Sequence, residues 1–492
     1  MKINIFLFTQ PTISWLVKCA CVIFLAGLMT TAQAADWYVK ASAVSGGSGS
    51  KAKPFNSLTD AELVSGEGDT IYIKQSNKHA ILDGQIVLKP NQKLIGLGPD
   101  VRNVQENAAG ARITYTGGGG SGYPDGAIVQ LSSGNEIANI HFKDFLYGAI
   151  GGIDVDFSGA NIHDNLFTGG NIVEGFQRWS VFLKTSSGSS EVIVRDNVIR
   201  DGVLLAGIRV DHLDDSSGTY HFEGNHFDNI GLRPHLFWTF DTAFIKASIL
   251  NSSANDIGAL GEFSEFANSD SILMQISGSS KMDVVVDGYT YDNTGQFGGI
   301  SNTGLELFII GDGIGGPPEF WANNAQVTLK INNSSFSNAV TEAIQLLNFG
   351  VHSTINVEVT NTMILNAKPQ QIGQDIGFVG AALSVLPEFL NNSGSQTFLK
   401  VENCDIIGST GAAVGIYDGG TNGFNSVIDL GGGLLGSLGQ NRFLDNASGE
   451  IELYQTHGIG ESNWWGEDLP RIDLQVGSSF DFDPTLLADP RP

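Results

Sequence analysis

One order of side chains returns along the chain: aliphatic, polar, polar, small polar, any residue, apolar. The clear copies are Ile162-His-Asp-Asn165-Leu-Phe167, Val194-Arg-Asp-Asn197-Val-Ile199 and Phe222-Glu-Gly-Asn225-His-Phe227. Looser ones follow at Val286-Asp-Gly-Tyr289-Thr-Tyr291, Ile331-Asn-Asn-Ser334-Ser-Phe336, Val359-Thr-Asn-Thr362-Met-Ile364 and Val401-Glu-Asn-Cys404-Asp-Ile406. Such self-similarity predicts a solenoid, in which each repeat buries its apolar face only against its neighbours. The aliphatic anchors are read as Ile140, Ile162, Val194, Phe222, Val286, Ile331, Val359 and Val401, and coils of roughly 20–30 residues fit most of the spacings. The wide gap between Phe222 and Val286 holds a weaker copy around Ile249. Asn165, Asn197 and Asn225 share one offset, which predicts an internal ladder of amides that satisfies turn backbone. Cys404 takes the same offset and reads as a small buried residue.

A second apolar-variable run follows each phrase: Val181-Phe-Leu183-Lys184, Ile208-Arg-Val210-Asp211, Ala243-Phe-Ile245-Lys246, Ile344-Gln-Leu346, Leu383-Ser-Val385 and Val414-Gly-Ile416-Tyr417. Period-2 alternation marks strands with one buried face. If Leu183, Val210 and Ile245 point inward, Lys184, Asp211 and Lys246 form one outward row at about 4.8 Å per rung. Phe182, Arg209 and Phe244 form a second, and His212, Asp214 and Asp215 follow at the adjoining turn. Rings, an arginine and carboxylates together are what sugar recognition uses. We therefore expect Lys184, Arg209, Asp211 and Lys246 as catalytic candidates, with Phe182, His212, Asp214, Asp215 and Phe244 binding substrate.

Composition narrows the partner. Acidic residues outnumber basic ones 52 to 26, for a net charge of −26. That balance disfavours nucleic acid and anionic membrane, and suits neutral glycans or anionic ones bridged by Ca²⁺. With 63 Gly and only 16% charged residues, the chain reads as all-β with many tight turns. At the N-terminus, Lys2 and Lys18 precede an apolar run from Cys19 to Met29 that ends at Ala32-Gln33-Ala34, a small-x-small cleavage signature. The expectation is a signal peptide over 1–34 and a secreted or periplasmic protein, with no membrane insertion after cleavage. Cys19 and Cys21 leave with it, so Cys404 stands alone.

The segments Lys53-Pro-Phe55, Gly68-Asp-Thr-Ile71-Tyr-Ile73 and Leu88-Lys-Pro-Asn-Gln-Lys-Leu-Ile-Gly96, together with the repeats, resemble secreted proteins of the pectin-lyase-like superfamily. The resemblance implies an all-β, right-handed parallel β-helix. Residues 35–100 would be an N-terminal cap and first coils, with a short helix between Ser57 and Val64 covering the end. The helix body would occupy 101–466. Trp464-Trp465 and the Pro/Asp tail would form a last coil and a short C-terminal cap over 467–492. No enzyme family within the superfamily is matched. Asp214-Asp215 is a fragment of a Gly-Asp-Asp motif, Gly-His-Gly is missing, and Arg233-Pro234 does not fit Arg-x-x-Pro-x-x-Arg.

Two chemistries could use the outward rows. β-Elimination needs a cation for a uronate carboxylate and a Lys or Arg base, roles open to Lys184, Arg209 and Lys246. Glycoside hydrolysis needs two carboxylates, here Asp211 with Asp214 or Asp215. No cofactor is firmly implied; Asp154 and Asp156, read as lying on one strand face, are where a Ca²⁺ would sit. The expected function is binding or cleavage of extracellular polysaccharide by a lyase or glycoside hydrolase. The competing expectation is a non-enzymatic surface adhesin or structural solenoid.

Overall fold

A computed structural model describes residues 33–492, apart from 77–79, 104–109, 118–125, 170–177, 203–204, 259–267, 294–300, 312–320, 370–379, 388–393, 418–425, 455, 467–468, 476 and 491–492. Residues 1–32, and with them nearly all of the expected signal peptide, lie outside the described residues.

The coil built from the second clear phrase shows how the sequence makes the fold. Ser189–Arg195 runs as a strand of the first sheet, Val198–Gly202 of the second and Ala206–His212 of the third. The next coil repeats the circuit with Ser217–Glu223, His226–Ile230 and Arg233–Thr239. Each strand pairs in parallel with its counterparts one coil before and after. The three sheets so formed contain 15, 12 and 13 described strands respectively. The molecule is a right-handed parallel β-helix.

The phrase itself is the corner between the first and second sheets. Its aliphatic position points into the lumen, and the partners Ile137, Ile162, Val194, Phe222, Ile249, Val286, Ile331, Val359 and Val401 stack coil on coil, all fully buried. Each such side chain contributes about 1.5–3 kcal/mol by leaving water. The third position carries the bend in a left-handed conformation, with φ of 57° at Asp164, 53° at Asp196, 61° at Gly224, 51° at Asn361 and 53° at Asn403. Only Gly, Asn and Asp enter that region readily, which is why those residue types recur there.

The fourth position makes the ladder. Asn165 Nδ2 donates to Asn197 Oδ1 at 3.1 Å, and Asn197 Nδ2 to Asn225 Oδ1 at 3.0 Å. The backbone N–H of each coil donates to the same oxygens, Asn165 N to Asn197 Oδ1 at 3.0 Å and Asn197 N to Asn225 Oδ1 at 3.2 Å. Ser252 and Ser334 continue the pattern with hydroxyl acceptors, and Asn441 with Asn463 resumes it. Cys404 occupies this column fully buried, its Sγ directed at the carbonyls of Glu402 and Val359. Ile140 belongs here too: its N–H donates to Asn165 Oδ1 at 3.0 Å, and the anchor of its coil is Ile137. An apolar side chain in a polar column made the sequence register slip by three.

Two other assignments change. Ala243–Lys246 does not belong to the third sheet. Phe244–Leu250 is a first-sheet strand that opens the next coil, and the third-sheet strand that follows the Phe222 phrase is Arg233–Thr239. Asp154 and Asp156 do not share a strand face: the strand ends at Ile153, and Asp154 takes a left-handed φ of 49° in the turn.

Ser57 caps the helix Leu58–Val64 by accepting from the N–H groups of Thr59 and Asp60. This helix packs on Asp36–Val39 and Ile86–Val87, the first strands of the first and third sheets. At the other end Trp465 is buried and stacks on Phe443 with centroids 4.6 Å apart.

Candidate active site

The third sheet presents two outward rows. The register runs Phe182, Arg209, Leu236, Leu273, Glu306, Gln345, Ser384, Gly415, Glu452 in one, and Lys184, Asp211, Trp238, Gln275, Phe308, Leu347, Leu386 in the other. Of the expected residues, Phe182, Lys184, Arg209 and Asp211 come together on this face. Lys246 and Phe244 do not. Both belong to the first sheet, Lys246 facing Thr219 and Asp283 and Phe244 facing Ser217 and Lys281. His212 points into the lumen, where Nδ1 meets Ser216 Oγ at 2.8 Å and Nε2 meets Tyr220 Oη at 2.6 Å. Burial lowers its pKa to about 4. Asp214 and Asp215 lie in an exposed turn on the way to the first sheet.

Arg209 and Asp211 form a closed unit. Arg209 Nε lies 2.9 and 3.0 Å from the two carboxylate oxygens and Nη2 2.6 Å from one of them. The guanidinium stands over the rings of Phe182, at 4.7 Å, and Trp238, at 5.5 Å. Burial raises the Asp211 pKa, against the opposing pull of Arg209 and Lys184. Lys184 pairs with Asp154 at 3.7 Å. These cations are spoken for.

Two to four coils further on, the same face carries a group with the opposite character. Asp270 lies on the strand Asn268–Ile276, Thr303 and Glu306 on Ser301–Ile309, and Glu342 just ahead of Ile344–Asn348. Asp270 faces Thr303 across the ladder, and Glu342 O accepts from Gly304 N on the following coil. Asp270 and Glu342 therefore flank the central strand from either side, two rungs or about 10 Å apart along the backbone. Gly304 permits the approach: a Cβ there would meet Ala343 O at 2.5 Å.

All three acids are buried, at 0, 5 and 3% exposure for Asp270, Glu306 and Glu342. Arg233 is their one nearby cation among the described residues, with Nε 3.5 Å from Asp270 Oδ2 and poorly aligned. Asp270 and Glu306 lie close enough to hold a proton between them. Even so, neither Asp270 oxygen, nor Glu306 Oε2, nor Glu342 Oε1 has a well-formed hydrogen bond. Burial raises the pKa of Asp270 against Arg233, and burial followed by the Asp270 charge raises that of Glu306 well above the carboxylate range. Burial lifts Glu342 to about 7. Burying three acids around one arginine costs free energy whenever more than one of them is ionised, and the raised proton affinities are the expression of that cost. Shifted carboxyls clustered on one face are the usual mark of acid–base chemistry. No three His, Cys, Asp or Glu side chains among the described residues converge closely enough to hold a metal ion.

Sequence reasoning passed over these acids. Leu305-Glu306-Leu307 has the same apolar-x-apolar form as Ile208-Arg209-Val210 and sits in the same row, but no clear copy of the returning phrase lies just ahead of it to mark it as a third-sheet strand. The one signal for it was an acid at an outward position between two inward leucines.

No family model matches the chain, and no curated protein matches it. Among solved structures, it is similar to the A-module of mannuronan C-5 epimerase AlgE6 from Azotobacter vinelandii, with 10% identity, TM-score 0.34 and coverage of 88% of this chain and 93% of that one. It is also similar to DFA-IIIase from Arthrobacter chlorophenolicus without its lid, with 10% identity, TM-score 0.34 and coverage of 85% and 89%. A third is the catalytic unit of an α-1,3-glucanase from Streptomyces thermodiastaticus, with 9% identity and TM-score 0.33 over 87% of this chain and 65% of that one. At these values the comparisons carry nothing about chemistry, which has to be read from the chain's own residues.

Proposed function

We propose that the protein is an exported carbohydrate-active enzyme that hydrolyses glycosidic bonds at the Asp270, Glu306 and Glu342 cluster. The observation that carries this reading is the surplus of buried, poorly satisfied carboxyl groups on the outward face of a solenoid strand. Hydrolysis of a glycosidic bond asks for one protonated and one ionised carboxyl. Glu342, titrating near 7, is the general acid that protonates the leaving oxygen. Asp270 and Glu306 hold one proton between them, and the remaining negative charge beside Arg233 activates water or steadies the cationic transition state. Export rests on the N-terminal sequence alone.

The expected elimination machinery lacks support by comparison. Arg209 is held by Asp211, Lys184 by Asp154, and Lys246 belongs to another sheet. The test is a panel of soluble polysaccharides, following reducing-end release for hydrolysis and absorbance at 232 nm for unsaturated uronates. Hydrolysis predicts reducing ends without absorbance. It also predicts a kcat that falls as pH rises through about 7, where Glu342 loses its proton. Absorbance at 232 nm from a uronate polymer would overturn the reading.

A further inference from the structure

We infer that the outer face of the third sheet is a track for an uncharged, linear glycan, running from Trp238 past the carboxyl cluster towards the C-terminal coils. This rests on the hydrolytic reading and assigns that site its substrate class and direction. The first support is the lining. In register beyond Trp238 come Gln275, Phe308, Leu347 and Leu386, and Tyr417 pairs with Tyr454 on the coils after them, a row dominated by rings and aliphatic side chains in which Leu386 and Tyr417 are buried. Trp238, Phe308, Leu347 and Tyr454 are half-exposed, and Tyr417 stacks on Tyr454 with centroids 4.7 Å apart and planes 13° from parallel. Leu347, Leu386, Tyr417 and Tyr454 form an apolar cluster of their own, separate from the solenoid core. Aromatic faces with nearby polar groups suit the C–H faces and hydroxyls of sugar rings. The row beside the stripe supplies the half-buried Gln345 for those hydroxyls. Phe308 and Glu306 project from the same strand two residues apart, so the stripe is continuous with the carboxyl cluster.

The second support is charge. A uronate or sulfated polymer needs cations free to receive it. In the two rows and beside the carboxyl cluster the described cations are Lys184, Arg209 and Arg233, and each already has a carboxylate: Asp154 at 3.7 Å, Asp211 at 2.6 Å and Asp270 at 3.5 Å. Beyond Glu306 the two rows are uncharged as far as Glu452. A polyanion laid here would meet Asp270, Glu306 and Glu342 with nothing to offset them.

The experiment uses the full chain carrying Glu306→Gln, which can bind without turnover, in gel retention against laminarin, dextran, xylan and inulin as neutral probes. Alginate and polygalacturonate are the anionic ones. The expected result is retention by at least one neutral polymer, unchanged by added salt, and none by the two polyanions. Phe308→Ala and Tyr454→Ala, added singly, should each weaken that retention about tenfold. Both side chains are half-exposed, and a melting curve confirms that the variants fold. The inference is overturned if a polyanion is retained as tightly as any neutral polymer, or if no neutral polymer is retained. It is also overturned if both alanine variants bind within about twofold of their parent. Wild-type activity separates the two readings. Retention without reducing-end release would sink the hydrolase and leave the track. Release from short neutral oligosaccharides without retention of polymer would do the reverse.

Discussion

Two sets of ionisable side chains share the outer face of the third sheet, and only one of them is neutralised. Arg209 and Asp211 are buried together, joined through several N–H contacts and held between the rings of Phe182 and Trp238. A few coils on, Asp270, Glu306 and Glu342 are buried to the same degree, with one loosely placed arginine among three acids. The first arrangement is what a fold does to make a buried charge tolerable. The second raises the free energy of the folded state and gains nothing structural in return. Where a solenoid can place any residue outward, an uncompensated set of acids is better explained by what it does to a substrate.

The sharpest way to break the comparison is to neutralise one acid from each set. Glu306→Gln should lower kcat by about 10²–10⁴-fold while leaving stability unchanged or slightly raised, because it removes a like-charge contact. Asp211→Ala should do the opposite. It leaves the Arg209 guanidinium buried without its carboxylate, at a cost of about 3–5 kcal/mol in urea denaturation. If Asp211→Ala were as stable as wild type, the pair would not be a structural unit. Lys184→Ala, removing a half-buried partner of Asp154, should change kcat by less than about threefold.

Smaller effects sharpen the boundary between architecture and function. Asn197→Ala takes away the oxygen that receives Asn165 N and Nδ2, which should cost about 1–3 kcal/mol with activity retained in the folded fraction. His235 sits wholly inside the lumen among Phe222, Phe227, Phe237 and Tyr289, and burial lowers its pKa to about 3. The folded state thus keeps it neutral while the unfolded chain binds a proton near pH 6.5, so stability is lost as pH falls from about 6.5 towards 3. His235→Phe should leave stability at pH 7 nearly unchanged and lessen that acid loss, which melting temperatures at pH 4 and pH 7 would reveal.

The inner half of this molecule was legible in the sequence because its constraints are local. A left-handed residue must precede each ladder position, an apolar one must stand on either side, and the motif Ile162-His-Asp-Asn165-Leu-Phe167 states both within six residues. Even there, Ile140 misled, since an isoleucine in the Asn column looks like an anchor. The outer face of the third sheet obeys no local rule. The run from the phrase to the third-sheet strand varies from coil to coil, so Ala243-Phe-Ile245-Lys246 passed for a third-sheet strand and Lys246 for a neighbour of Lys184. Asp270, Glu306 and Glu342 lie on three different coils, and only the register Leu273–Glu306 and Asp270–Thr303 brings them into one place. Their burial, which shifts their proton affinities, is a property of the folded coils and has no counterpart in the local sequence.

The central claim is that the carboxyl cluster is maintained for chemistry at the expense of stability, and Glu342→Gln tests it in one protein. Its folded pKa of about 7 lies above the ordinary value of 4.5. The native state therefore suffers no penalty below pH 4.5, and the penalty grows as pH rises to about 7. Above that it reaches on the order of 3 kcal/mol. Melting temperature and hydrolysis should be measured side by side at pH 7.5. The account predicts a variant that melts higher than wild type and has lost at least a hundredfold in kcat. A variant that melts higher and hydrolyses as fast as wild type would contradict it.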